Sequence, residues 1–186
     1  MKMKCIIVEG PQWCGKTTLA NYLRENISAS NLYRLTGTND KTLTGKKKSK
    51  EMYYALLNYM SSLQDVGVNL IFDRTFFTDY VYSKLGYKEY DFSDVYEELL
   101  QRLSNLNFDI YYINLYLENV NLYATRLKRK HHSYQEFSLQ SSIAQQEEYK
   151  RVLEGLKKYD KIKTYDIAMD DFDDAYKKIN KLFNIG

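Results

Sequence analysis

The sequence predicts an α/β fold: a mainly parallel sheet of about five strands with helices on both faces. Three observations predict it. Short apolar runs alternate with longer amphipathic segments along the whole chain. No hairpin signal joins one apolar run to the next. The first run passes at once into a glycine-bounded loop that opens an amphipathic segment.

Cys5-Ile6-Ile7-Val8 is short, rich in β-branched residues and closely followed by Gly10, as a buried strand should be. Residues 16–27 place Leu19, Ala20 and Leu23 on one face of a helix. A short strand is expected at 32–35. Residues 36–50 are polar, contain Gly37, Gly45 and the run Lys46-Lys47-Lys48, and predict a mobile, solvated loop. A helix over 51–66 has Leu56, Leu57, Met60 and Leu63 on its apolar side. Val68-Asn69-Leu70-Ile71-Phe72 predicts a second buried strand, ending at Asp73 and lying next to the first. Helices follow at 78–85 and 93–103, then a strand at 109–117. A helix over 119–130 runs into a basic segment, and a long helix is expected over 134–159. A strand at 162–167 and a helix at 171–183 complete the pattern.

The chain has 186 residues. At about 150 residues per domain, a single domain over 1–186 is expected. The 44% hydrophobic content supplies a full core. A net charge of +3 is too small to make nucleic acid the expected partner. No apolar run approaches the ~20 residues of a membrane span, so no membrane partner is expected. The apolar run at 5–8 is too short for a signal peptide. Two cysteines, Cys5 and Cys14, make no disulfide framework, and a reduced cytoplasmic location is expected. His131 and His132 have no Cys or carboxylate to complete a zinc site.

Gly10-Pro11-Gln12-Trp13-Cys14-Gly15-Lys16-Thr17 fits G-x-x-x-x-G-K-[ST] at every fixed position. A chain of anionic oxygens must be wrapped by backbone N–H groups, so side chains are excluded at the glycines. The loop then opens a helix, whose N-terminus favours anions. Lys16 brings a compact charge to the β and γ phosphates, and the Thr17 hydroxyl can bind Mg²⁺. A buried strand before the loop and an amphipathic helix after it supply the context the motif requires. The expected ATP site comprises Gly10, Pro11, Gln12, Trp13, Cys14, Gly15, Lys16, Thr17 and Thr18.

A phosphate loop alone names no reaction. A GTPase switch would need D-x-x-G and N-K-x-D, and neither occurs; Asn180-Lys181 is followed by Leu182-Phe183. A motor-type ATPase would end a strand in Asp-Glu to activate water, whereas this strand ends Phe72-Asp73-Arg74. An arginine beside a carboxylate at a strand's C-terminal end suits a small-molecule kinase, which must neutralise charge between two substrates.

Val8-Glu9-Gly10 with its phosphate loop, the strand end Asp73-Arg74-Thr75, and the basic helix Thr125-Arg126-Leu127-Lys128-Arg129-Lys130 occur in that order. Together they resemble the thymidylate kinase and deoxynucleoside kinase superfamily of P-loop kinases, from Ile6 to about Leu182. The resemblance implies ATP and Mg²⁺ as cofactors and a small nucleoside or nucleotide as acceptor; it leaves a homodimer open. It also implies site residues. Asp73 resembles the carboxylate near Mg²⁺ and the acceptor, and Arg74 the phosphoryl-contacting arginine. Glu9 matches a glutamate at the end of the first strand in thymidylate kinases. Asp79 is similar in spacing to a base-reading aspartate of deoxynucleoside kinases; stabilisation of the first turn of its own helix is the other reading.

Arg126, Arg129 and Lys130 share one helical face, and a break follows at His131-His132-Ser133. This looks like the family's basic lid, here expected at about 126–134, closing over the phosphates. The family's R-x-x-x-R appears as Arg126-x-x-x-Lys130, and Lys lacks the bidentate fork of Arg, so Arg129 is a further candidate. The segment 32–40 lacks the Glu-Pro that supplies a base in nucleoside kinases. Its first ionisable residue is Arg34, which resembles the arginine of the thymidylate-kinase R-E-P segment; the resemblance implies that it holds an acceptor phosphate. A phosphate acceptor needs cations and no base, so the sequence favours a deoxynucleoside monophosphate. A deoxynucleoside kinase acting on the 5′-hydroxyl is the alternative. A nucleotide-binding protein without turnover and a polynucleotide-end kinase also stay open.

Overall fold

The computed structural model describes residues 1–127 and 138–186. Five strands alternate with helices: β1 (Lys4–Glu9), α1 (Lys16–Asn26), β2 (Ser30–Tyr33), α2 (Leu43–Ser62), β3 (Asn69–Asp73), α3 (Phe76–Lys84), α4 (Ser93–Ser104), β4 (Asp109–Tyr116), α5 (Asn121–Leu127), α6 (Leu139–Leu156), β5 (Ile162–Ala168) and α7 (Phe172–Phe183). They form one sheet in the order β2-β3-β1-β4-β5. Every neighbouring pair is parallel, and β1 lies beside β3, with Val8 opposite Asp73. Both expectations from the sequence hold.

Side chains alternate across the strands, and the alternation divides the core. Cys5, Ile7, Leu70, Phe72, Ile110 and Tyr112 point to one face and pack against Tyr53 and Leu57 of α2, Phe77 of α3, Leu99 of α4 and Tyr149 of α6. Ile6, Val8, Ile71, Ile113 and Leu115 point to the other, against Leu19 and Leu23 of α1 and Ala175 and Ile179 of α7. With both faces covered, the central strands are buried almost throughout, which is why they read as unbroken apolar runs.

The structure corrects the expected loop at 36–50: α2 begins at Leu43 and includes the lysine run. The inward face of this first stretch carries Gly45 and Ser49, both buried, in place of large apolar side chains. A Cβ on Gly45 would lie 1.8 Å from the Asp40 carbonyl oxygen, so the helix packs there through bare backbone. Lys46 pairs with Asp94 at 2.9 Å and Lys48 with Asp40 at 3.1 Å. Apolar periodicity could not reveal a helix held by small and charged residues. β2 lies two residues earlier than expected, leaving Arg34 just past its end. The described part of α6 starts after Ser138, which forms a reciprocal capping box with Ser141. The expected lid at 126–134 falls, beyond residue 127, outside the described residues, and so do Arg129 and Lys130.

Candidate functional site

Parallel strands end together at one edge of the sheet, and the crevice beyond their carboxyl ends is where such folds place ligands. β1 passes there into the phosphate loop. Gly10 has φ 154°, and a Cβ would lie 2.6 Å from the Leu115 carbonyl oxygen, so only glycine lets β1 leave the sheet beside β4. Gly15 sits at φ 100° directly before α1, whose first N–H groups have no side-chain cap. The Lys16 ammonium is buried and donates to the carbonyl oxygens of Gly10 (2.7 Å) and Pro11. Burial pushes its pKa down to about 8. Thr17 and Thr18 are exposed at the start of α1.

The end of β3 lies against this loop. The Thr17 hydroxyl donates to Asp73 Oδ2 at 2.8 Å, so the sequence's two metal candidates meet. Both offer hard oxygen atoms of the kind Mg²⁺ takes alongside phosphate oxygens and water. Among the described residues no cluster of three His, Cys, Asp or Glu side chains forms a metal site by itself. The pair therefore fits a Mg²⁺ ion that arrives with nucleotide oxygens.

Arg74 follows in the left-handed region at φ 75°, its N–H donating to Val8 O at 3.2 Å. Its side chain lines a cleft of about 860 Å³, together with Gln12, Asp79, Tyr82, Lys88 and Gln145. Glu9 braces the turn from beneath. One carboxylate oxygen accepts from Thr75 N at 2.7 Å, the other from the Thr78 hydroxyl at 2.9 Å. The cleft thus adjoins the phosphate loop across Arg74.

No protein-family profile and no curated protein sequence matches the chain. Solved structures do. Thymidylate kinase from Candida albicans superposes with a TM-score of 0.71 at 17% identity, over 98% of this chain and 92% of that one. The YorR protein of Bacillus subtilis, in complex with phosphorylated GDP, gives 0.64 at 19%, over 97% and 95%. Deoxyadenosine kinase from M. mycoides, with dCMP and dCDP bound, gives 0.58 at 20%, over 98% and 100%. The chain has the P-loop nucleotide and nucleoside kinase fold.

Within this kinase fold, the expected site residues divide. Lys16, Thr17, Asp73 and Arg74 gather at the phosphate loop. Asp79 lies in the cleft wall: Tyr53 donates to its Oδ2 at 2.7 Å, and Lys88 lies 3.8 Å from its Oδ1. Its hydrogen-bond and ion partners come from other segments, and it also stands in the first turn of α3, so its place is compatible with both readings of the sequence. Arg34 is not among the described residues that line the cleft. Its Nε bonds Asp73 Oδ2 at 3.2 Å and its Nη2 bonds Asn21 at 3.1 Å, because β2 ends early and delivers it to the loop side of β3. Glu9 does not line the cleft either; β1's alternation turns it inward. Arg126 donates to the carbonyl oxygens of Trp13 (3.1 Å) and Met169 (2.8 Å) and lies over the Phe172 ring. It braces the phosphate loop.

Sequence reasoning missed Tyr82, Lys88 and Gln145. The Gln12 side-chain amide donates to the Tyr82 hydroxyl at 3.0 Å, and Gln145 Oε1 accepts from Gln12 N at 3.1 Å. Tyr82 lies one helical turn beyond Asp79, close enough in sequence to have been suspected. Lys88 and Gln145 sit in charged and polar stretches with no local signal.

Two predictions arise here. Burial raises the Glu9 pKa from 4.5 to about 7. Below pH 4.5 the group is neutral folded and unfolded. Between pH 4.5 and 7 the unfolded chain loses the proton that the folded chain keeps, so stability falls as pH rises. Glu9→Gln is expected to flatten that fall; melting temperatures across the range, compared with wild type, check it. Cys14 is fully buried and burial raises its thiol pKa, so a maleimide should label native protein far more slowly than unfolded protein. Cys14→Ser should keep its activity. Rapid labelling at Cys14 of folded protein would contradict the packing described.

Proposed function

We propose that this chain is a kinase that transfers the γ-phosphoryl group of ATP to a nucleoside monophosphate, in the manner of thymidylate kinases. The observation that carries the reading is the charge pattern of the cleft beside the phosphate loop. Arg74 and Lys41 line it beside the Lys88–Asp79 ion pair, whose charges offset each other, and its other carboxylate among the described residues is Glu89. Asp79 is already held by Tyr53 and Lys88, and Glu89 is exposed at the rim. Such a cleft attracts an anionic acceptor and offers little to deprotonate a hydroxyl group.

The residues divide the work. Loop amides and the Lys16 ammonium bind the phosphates, Lys16 exchanging its Gly10 and Pro11 carbonyl partners for phosphate oxygens. Thr17 and Asp73 hold Mg²⁺, which neutralises charge on the phosphate oxygens. Arg74 spans the gap between loop and cleft, where negative charge from both substrates converges. Arg34 acts through Asp73, orienting its carboxylate. Arg34→Ala is therefore expected to raise the Mg²⁺ concentration for half-maximal turnover by about three- to tenfold, leaving the acceptor KM within about twofold. A selective rise in acceptor KM would return Arg34 to the acceptor.

A deoxynucleoside acceptor is the second reading, supported by Asp79 in the cleft wall and its spacing from Asp73. ATP consumption measured against matched panels of deoxynucleosides and deoxynucleoside monophosphates separates the two. Turnover confined to nucleosides would reject the monophosphate reading. A cytoplasmic enzyme of nucleotide metabolism is the setting that fits this chemistry. Among the described residues no helix is long and apolar enough to cross a membrane.

A further inference from the structure

The outer wall of the cleft is the segment 36–41, which belongs to no helix or strand. Apolar packing does not explain its position; polar ties converging on one carboxylate do. Gly37 packs so closely that a Cβ would lie 2.3 Å from Asp79 Oδ2 and 2.4 Å from Ser49 Oγ. Thr38 N donates to Ser49 Oγ at 3.2 Å, and Thr38 O accepts from Lys88 Nζ at 3.3 Å. Lys41 O accepts from Glu89 N at 2.8 Å. Asp79 Oδ2 is covered by the Tyr53 hydroxyl and Gly37, and Oδ1 faces Lys88. The side chains of Lys88 and Asp79 are only 8% and 5% exposed, so the pair is largely desolvated, and either charge alone would be left uncompensated.

We propose that Lys88 is a positioning residue: its ammonium, bridging Asp79 and the Thr38 carbonyl, clamps segment 36–41 in place as the wall against which the acceptor binds. The inference rests on reading this cleft as the acceptor site. Removing the ammonium leaves the Thr38 carbonyl without its donor and Asp79 without its counter-charge. The wall then keeps the Thr38–Ser49 bond, the Gly37 N–H bond to Asp79, the Lys48–Asp40 ion pair and the Lys41–Glu89 backbone bond, but loses its tie at the Thr38 carbonyl. Lys88→Arg keeps a cation and a donor.

Hydrogen exchange of the amides in 36–41 tests the clamp without reference to activity. In the full chain, Lys88→Met is expected to speed their exchange by about tenfold or more, with the β1 and β4 amides unchanged and Lys88→Arg close to wild type. The acceptor KM should rise by about tenfold while the KM for ATP stays within about twofold. If Lys88→Met does not fold, the double variant Asp79→Asn/Lys88→Met, which buries no lone charge, carries the same exchange measurement. A raised acceptor KM with unchanged exchange at 36–41 would overturn the clamp and make Lys88 a direct acceptor contact. Faster exchange throughout the sheet would overturn it as general destabilisation. If the wild type turns over no acceptor, the kinase reading fails, and the exchange result alone still decides the clamp.

Discussion

Lys16→Ala is expected to lower turnover by about a thousandfold or more, about 4 kcal/mol of lost transition-state stabilisation. The size follows from position. Lys16 is the buried cation of the phosphate loop, and its ammonium is near the carbonyl oxygens of Gly10 and Pro11, at the mouth of the loop. The fold should survive, because the loop is shaped by Gly10 and Gly15 and by the backbone. Stability at neutral pH should not suffer, since burial already disfavours the charge and holds its pKa near 8. Steady-state kinetics with a melting curve on the same sample check both halves. Near-normal turnover in the variant would remove the loop from the chemistry.

Arg74→Ala is the second large effect: kcat is expected to fall by about a hundred- to a thousandfold, with the affinity for ATP changed by no more than about threefold. Arg74 faces the cleft, and its charge matters most when the transferring group lies between donor and acceptor. Alanine keeps the left-handed strain of φ 75°, whereas glycine would relieve it, so the alanine variant isolates the guanidinium. Lysine should rescue little, lacking the planar fork. Equal losses in ATP affinity and rate would make Arg74 a plain part of the nucleotide site. Titration of ATP binding alongside single-turnover rates separates the outcomes.

The sheet was legible because its central strands are buried on both faces and so stand out as apolar runs between helices. The phosphate loop was legible because its chemistry tolerates few residue types at fixed spacing, and Asp73-Arg74 because it closes a recognisable strand. The cleft beside Arg74 was not. Its wall at 36–41 is held by Gly37, Ser49, Asp79 and Lys88, which lie far apart in sequence and carry no shared period. The first turns of α2 were hidden for a related reason: Gly45 and Ser49 occupy its inward face, and a lysine run there reads as loop. Arg34 shows how a two-residue shift in a short strand sets one cation against Asp73 instead of in the cleft. Glu9 shows that a carboxylate at a strand end can brace a neighbouring turn from within the core instead of facing the cleft.

In the proposed reaction the γ-phosphoryl group of ATP moves onto an acceptor bound in the cleft beside Arg74. The most direct test follows the phosphorus itself. The purified protein is incubated with ATP, Mg²⁺ and each deoxynucleoside monophosphate, and the products are read by ³¹P NMR. ADP and a matching rise in the diphosphate of one or more acceptors are expected, both absent in Lys16→Ala. Release of inorganic phosphate alone, with every monophosphate left unchanged, would contradict it.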